Sequence, residues 1–156
     1  MSGSSTPPSE IRPARPDEAE RLSRLAWRSK AHWRYDEAQM AVFRRELTLT
    51  PDALGEVDAY VIDLDGEPAA FYTLRPVEQG VELEHLFVEP HALRRGLGRR
   101  LWEHAVERAR EAGHRAIWIQ SDPNAEGFYR AVGARKERDV PTSIPGRTLP
   151  LMRRIL

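Results

Sequence analysis

Hydrophobic positions recur with two different periods along this chain of 156 residues. Spacings of three and four residues put apolar side chains on one helical face, and they predict helices over residues 18–31, 36–47 and 97–112. A shorter helix is predicted over residues 124–133. Runs rich in β-branched and aromatic residues predict strands at 11–14, 59–64, 67–74, 81–88, 115–121, 134–139 and 147–156.

The order of these elements predicts the fold class. Three meandering strands, joined in part by a tight Asp65-Gly66 turn, precede a β–α–β crossover and two further strands. We therefore predict an α/β (α+β) fold, in which a mixed, mostly antiparallel central sheet of about six to seven strands carries helices on both faces. Residues 11–156 form one domain in this interpretation, and the Ser-, Gly- and Pro-rich residues 1–10 are predicted to be a disordered leader.

Charge and composition narrow the classes of partner. Lys+Arg and Asp+Glu both total 24, and zero net charge argues against a nucleic-acid partner or an anionic membrane surface. The chain has no cysteine, which excludes disulfides, thiolate metal sites and a cysteine nucleophile. We accordingly expect a cytoplasmic protein without a metal ion.

Two glycines stand among arginines where the helix over residues 97–112 begins, in the segment RRGLGRR. A helix start exposes about four unpaired N–H groups, and glycine lets a phosphate approach them closely. No Gly-Lys-Ser/Thr sequence is present, which excludes a Walker loop. Leu101 occupies the place of the third glycine in a dinucleotide fingerprint. On these residues alone, a phosphate-binding loop and a plain turn with solvated arginines both stay open.

The strand VELEHLFV before this loop changes the phase of its alternation. Glu82 and Glu84 would share a face with Leu86 and Val88, so one face would be both polar and apolar. We expect a β-bulge near residues 85–87, which would leave backbone groups free to bind an extended ligand. The alternative is that the two carboxylates lie at a solvated strand end.

A third segment, SDPNAEGFYRAVGA, completes a resemblance to the GNAT superfamily of N-acetyltransferases, which use acetyl-CoA. The family loop Gln/Arg-x-x-Gly-x-Gly/Ala is similar to residues 93–98. The family's Asn-x-x-Ala-x-x-Phe-Tyr-x-x-x-Gly-Phe is similar to residues 124–134, and the element order matches over residues 11–156. The chain departs from these patterns at Leu93, which replaces a polar residue, at Gly127, which replaces alanine, and at Ala134, which replaces phenylalanine.

The resemblance implies acetyl-CoA as co-substrate, no metal, and a division of roles among the residues. Backbone amides of the glycine loop would hold the pyrophosphate, the bulged strand would bind the pantetheine arm, and Tyr129 would assist departure of the thiolate. The cofactor-binding residues implied are Leu86, Phe87, Val88, Arg94, Arg95, Gly96, Leu97, Gly98, Arg99, Asn124 and Phe128. A homodimer is also left open, because many members of the family pair through their sheets.

Without a cysteine, the simpler mechanism is direct attack of an amine on acetyl-CoA in a ternary complex. Its proton must pass to a base or to water, and Glu82 and Glu84 are the candidates, with Glu84 slightly favoured. His32, Trp33, Tyr35 and Asp36 are candidate acceptor-binding residues, with helix capping and aromatic packing as their alternative roles. The loop PTSIPGRT is expected to border the acceptor site.

The resulting prediction is an N-acetyltransferase that acts on a primary amine, with a small molecule slightly favoured over a protein or peptide. A noncatalytic acyl-CoA-binding or sensing module is the alternative from a different class. An acetylating toxin that binds tRNA is disfavoured by the zero net charge.

Overall fold

The computed structural model describes residues 10–156, so the leader predicted over residues 1–10 lies, apart from Glu10, outside the described residues. One sheet runs through the described part of the chain. Its strands are β1 (Ile11–Pro13), β2 (Asp58–Leu64), β3 (Glu67–Val77), β4 (Gly80–Val88), β5 (Ala116–Gln120), β6 (Arg135–Pro141) and β7 (Thr148–Ile155). The α-helices are α1 (Ala19–Ala31), α2 (Glu37–Glu46), α3 (Pro51–Gly55), α4 (Leu97–Glu111) and α5 (Glu126–Ala131).

The sheet has the order β1-β2-β3-β4-β5-β7-β6. β4 and β5 are parallel, because α4 carries the chain back across the sheet between them, whereas the other neighbouring strands are antiparallel. The prediction of a mixed, mostly antiparallel sheet of six to seven strands is therefore confirmed.

Helices cover both faces of this sheet, as predicted. On one face, α4 buries the stripe that contains Leu101, Trp102 and Ala105. On the other face, α1 buries Leu22 and Ala26 against a separate cluster of strand side chains. Burying a large apolar side chain stabilises a fold by about 1.5–3 kcal/mol, so these two clusters fix the layers of the molecule.

Two helices differ from the sequence prediction. α3 was not predicted, although Thr50 accepts a hydrogen bond from the Ala53 amide (3.1 Å) and Pro51 occupies the first turn, where proline is favoured. α5 begins at Glu126 rather than at residue 124, because residues 123–125 form a 3-10 turn that Asp122 caps.

The change of phase predicted in β4 is present, and its position is one residue earlier than expected. Thr73 of β3 pairs with His85 while Leu74 pairs with Leu83, so Glu84 is the extra residue of the bulge. Leu83 stays in the core beneath α4, and His85 bonds the Thr73 hydroxyl (2.7 Å). Leu83 and His85, on either side of Glu84, are both held in place, and Glu84 is therefore the residue without a partner in β3.

Candidate active site

A gap in the sheet between β4 and β5 forms the centre of the candidate site. The two strands pair at Val81–Ile117 and Glu82–Trp118 and then separate. From residue 83 to residue 88, β4 is paired with β3 on one side, and no described strand pairs with it on the other. A cleft of about 200 Å³ opens at this gap, bordered by α1, α2, α5 and the loop before β7. The backbone groups of β4 that point away from β3 are thus available to an extended ligand.

The glycine loop forms the start of α4. Arg94 and Gly96 both have positive φ angles, 70° and 76°, and no side chain caps the helix. The first helical bond runs from the Arg100 amide to the Gly96 carbonyl (3.1 Å), so the amides of residues 97–99 have no acceptor within the helix. A Cβ built on Gly96 would meet no atom within 4 Å. The loop therefore offers open, uncapped amides of the kind that bind phosphate.

Several of the cofactor-binding residues predicted from the sequence lie together around this loop and the gap. A Cβ built on Gly98 would lie 3.6 Å from the Phe128 ring and 3.9 Å from a Val88 methyl, so all three residues are neighbours. Leu86 and Phe87 line the cleft. Leu97, the first residue of α4, is buried, whereas the side chains of Arg94, Arg95 and Arg99 are exposed to solvent.

Tyr129 lies in the first turn of α5, with its ring packed edge-on against Trp102 (5.7 Å between centroids) and Phe128 (5.1 Å). Tyr129 is 5% exposed and lines the cleft. Burial raises the pKa of its phenol, and the nearby negative charge of Asp122 adds to the effect. The described residues provide no hydrogen-bond partner for its hydroxyl. The phenol is therefore protonated at neutral pH and can donate its proton, or a hydrogen bond, to a ligand.

The two candidate bases differ in the contacts that their carboxylates make with the rest of the protein. Glu82 accepts from Arg75 (2.7 Å) and from Gln120 (3.1 Å). Glu84 lines the cleft and lies 3.4 Å from the Arg75 Nε. Burial raises the pKa of Glu84, while the positive charge of Arg75 opposes the shift. A carboxylate with a raised pKa accepts a proton better near neutral pH, which favours Glu84 of the two.

His85 lies on the strand beside Glu84, outside the cleft lining. It is buried, its Nδ1 lies 2.7 Å from the Thr73 hydroxyl, and burial lowers its pKa to about 4. A neutral histidine bonded to threonine serves the packing of the sheet.

The candidate acceptor residues have different positions. Trp33 is 46% exposed and lines the cleft, and His32 packs edge-on against it (5.1 Å) outside the lining. Tyr35 donates a hydrogen bond to Asp122 (2.7 Å). Asp36 accepts from the Gln39 amide (2.7 Å) as the N-cap of α2. Residues 142, 144 and 147 of the PTSIPGRT loop also line the cleft.

A partly buried polar network on this side of the cleft was not predicted from the sequence. Lys30 donates to Asp122 (2.6 Å), and Arg147 donates to the Tyr35 hydroxyl (3.1 Å). Asn124 donates to both Tyr35 (3.2 Å) and Asp122 (2.9 Å). Lys30 was not predicted to lie in the site, and Arg147 was predicted only as part of the PTSIPGRT loop that borders it.

A signal for Lys30 was present in the sequence. It follows Leu22 and Ala26 at steps of four residues and so continues the buried stripe of α1. Arg147 stands in a loop with no periodic pattern, and no local signal identifies it.

Two further properties concern residues 10–156. This part of the chain has no helix that is both long and apolar enough to cross a membrane. It also has no cluster of three or more His, Asp or Glu side chains suited to hold a metal ion.

Comparison with known proteins agrees with this geometry. Residues 19–134 match the model of the Acetyltransferase (GNAT) family. The chain is 30% identical to the peptidyl-lysine N-acetyltransferase YjaB of Salmonella typhimurium over 144 residues, which cover 91% of this chain and 94% of that protein. It is also 30% identical, over 105 residues, to an uncharacterized N-acetyltransferase of Lactobacillus delbrueckii subsp. lactis, and this match covers 56% of this chain and 61% of that protein.

Solved structures share the fold at lower sequence identity. A GCN5-related N-acetyltransferase from Rhodopseudomonas palustris superposes with a TM-score of 0.81 at 19% identity, covering 97% of this chain and 98% of that one. The PaiA N-acetyltransferase from Thermoplasma acidophilum, solved in complex with coenzyme A, superposes with a TM-score of 0.76 at 18% identity, covering 94% and 98% of the two chains.

Proposed function

This chain belongs to the acetyltransferase (GNAT) family and is an acetyl-CoA-dependent N-acetyltransferase, and from that premise we propose the roles of its residues and the size of its acceptor. The acceptor in this proposal is a small molecule with a primary amine, which receives the acetyl group directly within a ternary complex. The observation that carries the proposal is the unpaired edge of β4, which has Val88 beside Gly98 at the start of α4 and Glu84, Leu86 and Phe87 in the cleft that Tyr129 also lines.

The cofactor would be bound mainly by backbone. Amides of residues 94–99 would bind the pyrophosphate, because they combine a helix start with two positive-φ residues. The free edge at Leu86, Phe87 and Val88 would bind the amide-containing pantetheine arm as an added strand. Phe128 packs beside Gly98, where it would limit solvent access to the arm. Asn124 would contact the arm after giving up its bond to Tyr35 or Asp122.

Acetyl transfer requires two proton movements, and the cleft has a group for each. The amine nitrogen bonds to the thioester carbonyl carbon, and the carbon–sulfur bond breaks. Glu84, directly or through water, would take the proton that the amine loses. Tyr129 would donate a hydrogen bond or its proton to the sulfur as negative charge develops there. The raised pKa of Tyr129 favours the hydrogen bond over complete proton transfer, because a phenol is a weaker acid than a thiol.

The size of the cleft supports a small acceptor. Its volume is about 200 Å³, and aromatic side chains including Trp33 and Phe43 border it. The relative from Salmonella typhimurium acts on peptidyl lysine, so a protein acceptor is the alternative within the same reaction.

Calorimetric titration with acetyl-CoA, combined with thiol release across a panel of amines and lysine peptides, tests the proposal. We expect micromolar binding that free CoA competes for, together with turnover of small amines above that of the peptides. Absence of binding at millimolar acetyl-CoA would refute the cofactor site. Acetyl-CoA binding without turnover of any amine would favour the noncatalytic sensing module.

A further inference from the structure

Two cations share one wall of the cleft. The side chains of Lys30 and Arg147 are only 11% and 14% exposed. They come from α1 and from the loop between β6 and β7, and both contact Phe43, at 4.6 and 4.9 Å from its ring centre. Because neighbouring buried cations repel each other and lose hydration, this arrangement is unfavourable without an anion.

One carboxylate lies between them, and its hydrogen-bonding capacity is already used. Asp122 accepts from Lys30 (2.6 Å), from the Tyr35 hydroxyl (2.7 Å), and from the amide and side chain of Asn124 (2.8 and 2.9 Å). An ionised carboxylate has about four acceptor sites, so all of them are occupied. Arg147 lies 3.9 Å from Asp122, beyond hydrogen-bond distance. Asp122 thus offsets one of the two positive charges.

Donor groups of both cations remain available to a ligand. An ammonium has three N–H donors and a guanidinium has five. Within residues 10–156, the Lys30 side chain donates one hydrogen bond, to Asp122, and the Arg147 side chain donates one, to Tyr35. Burial lowers the pKa of Lys30 despite the opposing charge of Asp122, which indicates that the protein's own anions compensate the ammonium incompletely.

In the described part of the chain, two other acidic side chains border the same cleft and form no hydrogen bond with Lys30 or Arg147. Glu46 is exposed and accepts from the Ser143 hydroxyl (2.6 Å), and its charge acts on Lys30 more weakly than that of Asp122. Glu84 enters from β4, where Arg75 is its charged neighbour. The cleft is therefore electrically asymmetric, with an anionic proton acceptor on the strand and a cationic pair on the opposite elements.

We propose that the acceptor is a zwitterion, a primary amine that also carries a carboxylate on an apolar body, and that Arg147 and Lys30 bind this carboxylate. The proposal rests on acetyl transfer in this cleft. A carboxylate bound by Arg147 in bidentate fashion would satisfy donors that the protein leaves free and would direct the amine towards Glu84. Apolar contact with Trp33 and Phe43 would hold the body between them. A polyamine would instead place a second cation against the pair, which is unfavourable.

Matched pairs of acceptors test the inference by kinetics. Initial rates of thiol release at saturating acetyl-CoA are compared for phenylalanine with phenylalaninamide and for leucine with leucinamide. Each kcat/KM is divided by the fraction of the acceptor whose amine is neutral, because the ammonium group of an amino-acid amide is more acidic than that of the corresponding amino acid. A hydrogen bond to a charged group is worth about 1.5–3 kcal/mol, so we expect a preference of about ten- to hundred-fold for the carboxylate. An equal or higher kcat/KM for the amides, or for a lysine peptide, overturns the proposal.

Variants of Arg147 test whether the Lys30 and Arg147 pair causes the preference for a carboxylate over an amide. Arg147→Gln should bring the ratio of carboxylate to amide close to one, and Arg147→Lys should restore part of it. Arg138→Gln, which removes an exposed arginine on β6, is the matched control and should retain the wild-type ratio. A ratio that Arg147→Gln leaves unchanged overturns the assignment.

Binding without turnover separates this inference from the proposed function. The CoA-saturated protein is titrated calorimetrically with 3-phenylpropionate and with 3-phenylpropanamide, neither of which has an amine. We expect the carboxylate to bind at least tenfold more tightly, and less tightly in Arg147→Gln. Equal affinities, or no binding of 3-phenylpropionate at millimolar concentration, contradict the anion site even where acetyl-CoA binds. Failure of acetyl-CoA itself to bind would instead refute the proposed function.

Discussion

Replacing Tyr129 with phenylalanine separates its catalytic role from its packing role. The ring would keep its edge contacts with Trp102 and Phe128, since the variant differs by one oxygen atom. The hydroxyl has no hydrogen-bond partner among the described residues, so its removal leaves no protein group unpaired. We therefore expect the free energy of unfolding to change by less than about 1 kcal/mol.

The expected loss in catalysis is much larger. A donor aimed at charge that develops in the transition state contributes about 2.7–4 kcal/mol, which corresponds to a fall of about 10²–10³ in kcat. Because burial raises the pKa of Tyr129, its phenol stays protonated up to at least pH 10. Any fall in the wild-type rate below pH 10 should therefore come from another group.

Three measurements on wild type and Tyr129→Phe distinguish a catalytic role of the hydroxyl from a structural one. Thiol release reports kcat, calorimetric titration reports the Kd for acetyl-CoA, and urea unfolding reports stability. Tyr60→Phe is the matched control, because Tyr60 lies under α4 outside the cleft lining and should leave all three values near those of wild type. A fall in kcat below tenfold would remove Tyr129 from the proposed role, and a loss of stability above about 2 kcal/mol would make the effect structural.

Three further perturbations address the loop, the base and the buried histidine. Gly96→Glu should weaken acetyl-CoA binding at least tenfold, because the side chain adds negative charge beside the amides. The control is Gly66→Glu, which has a similar positive φ in the remote β2–β3 turn. It should lower the stability by ~1 kcal/mol, as Gly96→Glu does, and leave the calorimetric Kd unchanged. Glu84→Gln should lower kcat/KM by about 10²–10⁴ and remove the acidic limb of its pH profile, and a larger effect of Glu82→Gln would exchange the two roles. The folded-state pKa of His85, about 4, lies below its ordinary value of 6.5, so its contribution to stability is complete above pH 6.5 and is lost as the pH falls towards 4. Urea unfolding from pH 7 to pH 4 should show wild type losing about 3 kcal/mol more than His85→Gln, and parallel losses would contradict the burial argument.

Local patterns predicted the regular elements well because they record which face of each element is buried. The stripe of α4 and the capping positions of α2 both follow from spacing within a few residues. The bulge in β4 was predicted from conflict within one strand, but its position was one residue off. Its placement at Glu84 depends on Thr73 and Leu74 in the neighbouring strand, which a pattern within β4 does not contain.

Short elements gave the weakest signals. α3 has five residues and one buried apolar side chain, Leu54, so it has too few positions for a periodic pattern. Its capping residue Thr50 and the following proline were the available local evidence.

Spacing and composition along the chain were enough to predict the order of the strands and of the helices other than α3, the glycine loop at the start of α4, and the change of phase before it. Each of these depends on residues within one element or at one junction, where periodicity and backbone freedom act directly. The tertiary structure decided where β4 and β5 separate and which charges meet in the cleft. Lys30 and Asp122 are 92 positions apart, and Tyr35 and Arg147 are 112 apart. Such pairs come together through the packing of α1 and the β6–β7 loop around the sheet, and no local sequence pattern specifies which distant residues will meet.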